Sequence, residues 1–510
     1  VSVDEASMLP AQVSPPQFAL SELAPHEIGQ VECLAFTVAP DGDTVTPGPG
    51  MDAAGAAFGL DLRALLDSAR AQGTVGAVTV LPVSQGGVRV VLAVGVGEGT
   101  DTDLRRAAAS LARATKGRHS VAYLLPDGVG AAGVTATVVG AMLGSFEFRW
   151  RQAEAGDEPV ARIVLCGRDP QAEQAVVDRA VAIGGAAWRA RMLATVPSNV
   201  KNPGWLASQA VEMAGSAGLD VEVWDEQRLA EEGCGGILGV GRASVSPPRM
   251  VKLTYTPVGA DTADVPHVVL VGKSITFDSG GLSIKPGDSM LHMKRDMTGG
   301  AVVLSAMAAL ADVGCPVRVT GLLAAAENVI SGNALRPGDV LVHPNGRTTE
   351  VTNTDAEGRL VMADAMAYAV DQLAPDVLVD VATLTGAMKV ALGQHTGGFF
   401  ANDETLASRI DAAGAASGER VWRMPLWDDY EDKISSKIAD SVNSGPGPGA
   451  ITAALYLQHF AGDVPWAHLD VASVGDAPAE RFEWTTGPTG FGARLLLEWL
   501  STDEPLAGIV

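Results

Sequence analysis

Short apolar runs rich in Val, Leu and Ile recur along the chain, separated by stretches with helical spacing of their apolar positions. Between residues 54 and 168 the runs at 78–81, 88–94, 120–125 and 160–165 read as strands and 102–114 as a helix. Further on, the runs at 268–271, 317–323 and 377–381 are apolar throughout and alternate with helical patterns over 298–312 and 359–373. A strand that is apolar on both faces must be covered on both faces, so this alternation predicts a central, mostly parallel sheet between layers of helix.

Residues 170–193 place Val176, Val177, Ala180, Val181, Ile183 and Trp188 among helix-spaced apolar positions, and Pro197 and Pro203 then bar continuation. The chain therefore reads as a smaller N-terminal α/β domain at 1–168, a connecting helix at 169–194 and a larger C-terminal α/β domain at 195–510. Residues 1–50 are rich in Pro, Gly and Asp and only intermittently apolar, and the Gly-rich stretches 233–241 and 444–449 are expected to be loops near a site. Gly95-Val-Gly-Glu-Gly99 lacks the spacing of a phosphate-binding loop and is read as a tight turn between strand and helix.

Charge narrows the classes of partner. With 60 acidic against 36 basic residues the formal charge is −24, so neither a phosphate backbone nor an anionic membrane gains electrostatic support. The apolar stretches at 128–146 and 441–462 are dominated by small residues or broken by Pro446, Pro448 and His459, and neither reads as a membrane span. Cys33, Cys166, Cys234 and Cys315 lie far apart without Cys-x-x-Cys spacing, which argues against a disulfide framework or a thiolate zinc site and suits a reducing compartment. All four are read as small buried residues, Cys234 in its glycine-rich setting being the candidate for exposure. The first Lys or Arg is Arg63, so the amino terminus lacks the positive segment of a secretory signal and a cytoplasmic location is expected.

Two segments carry the chemistry: Val271-Gly-Lys-Ser-Ile-Thr-Phe-Asp-Ser-Gly-Gly281 and Asn353-Thr-Asp-Ala-Glu-Gly-Arg-Leu360. With Lys285 and Asp296 they gather Lys273, Asp278, Asp355, Glu357 and Arg359, a group rich in carboxylates that contains neither Cys nor His. Oxygen donors with one amine suit hard or borderline divalent ions, and a lysine ligates only as the free amine. Lys273 and Asp278 follow the apolar run at 268–271, and are expected to leave the carboxyl end of a buried strand, the edge at which open α/β sheets bind ligands. Asp355 and Glu357, two apart in an extended turn, precede the helix expected from Arg359. Either segment alone is explained equally well as a turn or a helix start. No His-Glu-x-x-His and no Gly-x-Ser-x-Gly is present, so neither a zincin site nor a serine elbow is indicated.

The chain resembles the leucine aminopeptidase (cytosol aminopeptidase) family, whose signature Asn-Thr-Asp-Ala-Glu-Gly-Arg-Leu stands unaltered at 353–360. The resemblance runs over residues 190–500 through 273–281, 293–299, Asp380-Val-Ala-Thr-Leu-Thr-Gly386, Gly449-Ala-Ile-Thr-Ala453 and Trp466-Ala-His-Leu-Asp470, and is weak over 1–170. It implies that the C-terminal domain is catalytic and that two divalent ions, Mn²⁺ or Zn²⁺, are bridged by Asp278 and Glu357. Asp355 would complete the first ion, and Lys273 with Asp296 the second. Lys285 and Arg359 would be catalytic without being ligands, Arg359 holding a bicarbonate. Met293, Asn353, Ala356, Thr383, Leu384 and Gly386 would line the substrate channel. The resemblance further implies peptide substrates with a free α-amine, leucine-type first residues and a homohexamer. Three positions depart from the pattern: Ser274 and Ser473 stand where Gly is usual and Arg295 where an aromatic residue is common, so Arg295 is expected to bring a cation beside the Asp296 carboxylate.

Three other functions bear on these residues. A two-metal phosphoesterase would use similar carboxylates, but only Lys285, Arg295 and Arg359 lie near the motifs to clamp a phosphate. A DNA-binding or regulatory protein on the same fold is disfavoured by the acidity, and a scaffold without catalysis by the intact set of seven residues.

Overall fold

The computed structural model describes residues 9–151, 158–259 and 265–509. They fall into two compact units, Pro10–Trp188 with Pro478–Thr486, and Arg189–Ala477 with Gly487–Val510. The boundary lies inside the helix Pro170–Thr195.

In the N-terminal unit the strands are β1 (Gln17–Ser21), β2 (Cys33–Asp41), β3 (Thr44–Pro47), β4 (Val78–Gln85), β5 (Val88–Gly95), β6 (Ser120–Leu124) and β7 (Arg162–Cys166). They form one sheet in the order β1-β7-β6-β2-β5-β4, with β3 hairpinned onto β2. The stretch before residue 50 thus supplies β2, a strand in the middle of the sheet whose first six residues are buried. Its Pro and Asp stand at the carboxyl end, so the apolar half of the strand is masked by its polar neighbours in sequence. Helices Asp101–Ala114 and Ala131–Gly144 cover the sheet, and the turn at Gly95–Gly99 leads into the Thr100–Asp103 capping box. The segment Pro478–Thr486 closes this unit: Glu483 Oε1 accepts from Arg105 Nε at 2.9 Å, and the Arg106 guanidinium lies 4.8 Å above the Phe482 ring.

The C-terminal unit holds β8 (Asp220–Trp224), β9 (Arg249–Tyr255), β10 (His267–Asp278), β11 (Arg318–Asn328), β12 (Val340–Val342), β13 (Thr348–Glu350), β14 (Val377–Ala382), β15 (Gly397–Ala401), β16 (Val421–Arg423), β17 (Ser441–Val442), β18 (Trp466–Asp470), β19 (Asp476–Ala477) and β20 (Gly487–Pro488). The main sheet runs β16-β15-β18-β14-β10-β11-β9-β8, and its central strands β18, β14, β10 and β11 are mutually parallel. This is the α/β fold with a mostly parallel C-terminal sheet that the alternating pattern predicts. Helix Gly358–Tyr368 shares a buried cluster with Val269, Val271 and Leu378, while helix Thr298–Met307 packs on β10 and β14. The latter approach requires Gly299, where a Cβ would sit 2.0 Å from Val381 O.

Two local expectations are corrected. Residues 235–241 form the helix Gly235–Gly241, not a loop, because Asp364 Oδ2 accepts from Ile237 N at 2.7 Å near its amino end and the glycines allow close packing, Gly236 against Leu360 O. Cys234, at the amino end of that helix, is fully buried, and burial pushes its thiol well above the ordinary range. Among the described residues no helix is long and apolar enough to cross a membrane.

Candidate functional site

The site begins with a mismatch in strand length. β10 pairs with β11 along its whole course to Asp278, but its other neighbour β14 pairs only as far as Gly272–Val381. From Lys273 onward β10 therefore has one unpaired edge, and the strand continues to Asp278 because β11 alone supports it. Lys273 lies within the strand, which corrects the expectation that it leaves the strand end; Asp278 is the last strand residue.

The neighbouring elements bring the remaining groups to that edge. Asp296 follows the short turn Met293–Arg295 and precedes helix Thr298–Met307. Asp355 and Glu357 come from the turn between β13 and helix Gly358–Tyr368, whose second residue is Arg359. Thr383 and Leu384 follow β14, and Gly386 starts the helix Gly386–Leu392. Gly358 is required here: a Cβ would lie 2.3 Å from Lys273 Cε, so the absent side chain leaves the lysine its channel.

Lys273 Nζ is 2.8 Å from Asp296 Oδ2 and 3.0 Å from Glu357 Oε1, and it donates to Thr383 O at 3.2 Å. Lys285 Nζ is 2.8 Å from Asp278 Oδ2 and 2.5 Å from Asp355 Oδ1. Oxygens of Asp278, Asp355 and Glu357 lie within 4.8 Å of one another, and the buried Glu357 Oε2 has no hydrogen-bond partner among the described residues. Arg359 is buried, donates from Nη1 to Asn443 O at 2.7 Å, and leaves Nε without a hydrogen-bond partner among the described residues. The contacts thus join Lys273, Asp278, Lys285, Asp296, Asp355, Glu357 and Thr383. Met293, Asn353, Ala356, Leu384 and Gly386 lie on the segments that carry these side chains, with Asn353 Oδ1 accepting from Asp355 N at 2.9 Å.

Crowding of carboxylates sets the electrostatics. Burial, with the nearby Glu357 and Asp296 carboxylates, pushes Asp278 up to about 8, and burial with Glu357 raises Asp296 to about 6 against the pull of Lys273. Burial would also raise Glu357, but Lys273 and Lys285 hold it below the usual range. For Lys273 burial favours the neutral amine, and the carboxylates of Asp296, Glu357 and Asp278 overcome it and raise its pKa. Four carboxylates face two ammoniums in a largely buried site, and Glu357 Oε2 has neither a hydrogen-bond partner nor an ion pair among the described residues. Such a donor set fits divalent cations.

Several residues that position the cluster were not singled out in the sequence. Asn328 Nδ2 donates to Asp278 Oδ1 at 2.8 Å and to Thr354 O at 3.0 Å, joining the two motif segments. Asn443 Nδ2 donates to Asn353 O at 2.7 Å, and its Oδ1 accepts from Thr352 N at 2.8 Å. Asp470 accepts from Leu384 N and Thr385 N, each at 3.1 Å, fixing the turn after β14. Asp470 lies in a matching segment, but a single polar residue at a strand end carries no signal of what it will bind.

The departures from the family pattern are also resolved in space. Ser274 Oγ donates to Gly272 O at 3.1 Å and the buried Ser473 Oγ to Thr396 O at 3.1 Å. Arg295 pairs through Nη1 with Asp476 Oδ2.

Residues 188–497 match the model of the cytosol aminopeptidase family, catalytic domain, and residues 38–150 that of the cytosol aminopeptidase family, N-terminal domain. A Streptomyces avermitilis protein named a probable cytosol aminopeptidase is 43% identical over 482 residues, covering 90% of this chain and 93% of its own. The bottromycin maturation enzyme BotP in complex with Mn superposes with a TM-score of 0.81 at 37% identity, over 92% of this chain and 99% of that one. A mutant of tomato leucine aminopeptidase superposes with a TM-score of 0.85 at 31% identity, over 98% and 99%.

Proposed function

The chain belongs to the cytosol aminopeptidase family and is an aminopeptidase, and from that premise we infer that it is a two-metal exopeptidase acting on peptides with a free α-amine, leucine-type first residues foremost. The observation that carries this reading is the convergence of Asp278, Asp355 and Glu357 within 4.8 Å, beside Lys273 and Asp296, with Glu357 Oε2 unpartnered among the described residues. Asp278 and Glu357 would bridge two divalent ions. Asp355 would complete the first ion with side-chain and main-chain oxygens, and Lys273 and Asp296 the second. The Mn present in the BotP complex supports manganese, with zinc the other candidate. Bound there, the ions would supply water of lowered pKa and polarisation of the scissile carbonyl.

The protein's own groups do the rest. Lys285, already within hydrogen-bond reach of the carboxylate cluster, would donate to the oxyanion that develops at the carbonyl. Arg359 keeps its charge when buried, and its Nε, unpartnered among the described residues, is a donor suited to a small planar anion. A bicarbonate held there would supply the proton shuttle to the departing amine. Met293, Asn353, Ala356, Thr383, Leu384 and Gly386 would line the channel for the peptide. Family membership supports a homohexamer in the cytoplasm.

The test is to strip the full chain of metal, add back Mn²⁺, Zn²⁺, Mg²⁺ or Co²⁺, and assay a panel of aminoacyl p-nitroanilides. Activity should vanish on stripping and return with a divalent ion. Full activity in the metal-free chain would overturn the reading, and hydrolysis of p-nitrophenyl phosphate in place of the anilides would replace it with a phosphoesterase.

A further inference from the structure

Asp296 is the carboxylate assigned to the second ion, and the residues immediately before it, Lys294 and Arg295, are both cations. A free guanidinium beside a carboxylate forms a planar, two-pronged pair with it, and it also repels a divalent ion seeking the same oxygens. On charge alone, the Met293–Arg295 turn should weaken metal binding at Asp296.

The structure sends the guanidinium elsewhere. Arg295 Nη1 bonds Asp476 Oδ2 in an ion pair whose side chains are 23% and 21% exposed. Asp476 stands on fixed backbone: β19 pairs with β20 through Asp476–Pro488, and Thr489 N donates to Gly475 O at 3.1 Å. Asp296, meanwhile, has other partners. Its carboxylate is held by Lys273 Nζ and by Thr383 Oγ1, the latter at 2.8 Å, and it is buried where Arg295 is not. The half-buried Lys294 also lies in the field of Asp476.

We propose that Asp476 is a positioning residue for the second metal site: it holds the Arg295 guanidinium off Asp296, so that the carboxylate remains available to a divalent ion. This rests on the two-metal reading. It identifies a residue outside the ligand set, on a different hairpin, that acts on metal affinity through a side chain it binds. It also accounts for how a cation is accommodated at a position where the family commonly has an aromatic residue.

The test is calorimetric titration of Mn²⁺ into the metal-free full chain, with kcat and KM measured at low and saturating Mn²⁺. The wild-type chain should bind two ions. Asp476→Asn should weaken the second ion by about 10-fold or more, because a unit positive charge released within a few Å of a divalent ion repels it, with the first ion unchanged and kcat recovered at saturating Mn²⁺. Arg295→Gln alone should leave the second ion near wild-type affinity, and Arg295→Gln/Asp476→Asn should recover what Asp476→Asn loses, because the competing cation is gone. Wild-type affinity in Asp476→Asn, or a double variant as weak as Asp476→Asn, would overturn the proposal. A wild-type chain that binds no pair of ions would instead remove the two-metal reading and this proposal with it, before any variant is compared.

Discussion

Lys285 Nζ stands 2.5 Å from Asp355 Oδ1 while also 2.8 Å from Asp278 Oδ2, so one ammonium spans carboxylates from both motif segments. Burial opposes its charge, yet Asp278 and Glu357 raise its pKa above that of an ordinary lysine, and it stays cationic at neutral pH. A fixed cation outside the proposed ligand set should serve the transition state more than metal binding. Lys285→Ala is therefore expected to lower kcat on the order of 10²–10³-fold with about two ions per chain retained. Arg359→Ala should behave alike, whereas Asp278→Ala and Glu357→Ala should lose metal, as measured by elemental analysis after gel filtration. Loss of the second ion in Lys285→Ala would show that its role is misassigned.

Asn443 is buried and clamps the turn that carries Asp355 and Glu357. Its Nδ2 serves Asn353 O and Ala356 O at 2.7 and 3.3 Å, its Oδ1 accepts from Thr352 N and Asn353 N at 2.8 and 3.2 Å, and its carbonyl accepts from Arg359. Asn443→Ala strips partners from these backbone groups and should destabilise the chain by about 2 kcal/mol. Asn443→Asp keeps the acceptor but turns a charged oxygen towards two carbonyls, and should cost as much. Urea unfolding at pH 7.5 reads both, and a variant as stable as wild type would show that the turn holds without the clamp.

His267 opens β10 with its ring buried between Thr320 Oγ1, at 2.9 Å, and Leu373 O, at 3.3 Å. Burial, with the charge of Arg318, lowers its pKa from 6.5 to about 4. Between those values the unfolded chain binds a proton that the folded chain does not. The stability from the neutral ring is thus fully present above pH 6.5 and is lost as pH falls towards 4, by about 3 kcal/mol in all. His267→Gln should flatten the dependence of unfolding free energy on pH in this window relative to wild type. Parallel curves for the two proteins would show that His267 does not titrate there.

What the sequence discloses and what it hides follow from how local each cause is. The apolar runs that became β10, β11 and β14 announce themselves, because burial on both faces is written in consecutive residues. The strand's continuation through Lys273 to Asp278 is invisible, since it depends on β11 extending beyond β14. The glycines of 235–241 weaken helix propensity, and the Asp364 carboxylate on Ile237 N together with close packing against Leu360 and Leu341 supports the helix. The cluster itself was legible as two motifs. The supports Asn328, Asn443 and Asp470, and the pairing of Arg295 with Asp476, join residues distant in the chain, and nothing near any of them in sequence names its partner.

The enzyme is expected to require a free amino terminus and to remove residues one at a time. In the proposed site Lys273 and Asp296, which contact each other, would hold the second ion, and that ion would take the substrate's neutral α-amine as a further donor. The reference α-amino pKa of about 7.7–8.0 makes that form accessible near pH 8. Acetylation withdraws the nitrogen lone pair into the amide and adds bulk next to the buried Lys273–Asp296 pair, so both amine binding and carbonyl alignment should fail. Leu-Gly-Gly and N-acetyl-Leu-Gly-Gly form the matched pair, with free leucine measured by mass spectrometry. A longer peptide followed over time should show residues released in order from its amino end. Comparable cleavage of the blocked peptide, or internal fragments appearing before single residues, would mark an endopeptidase and refute the assignment of the second ion to the substrate's amine.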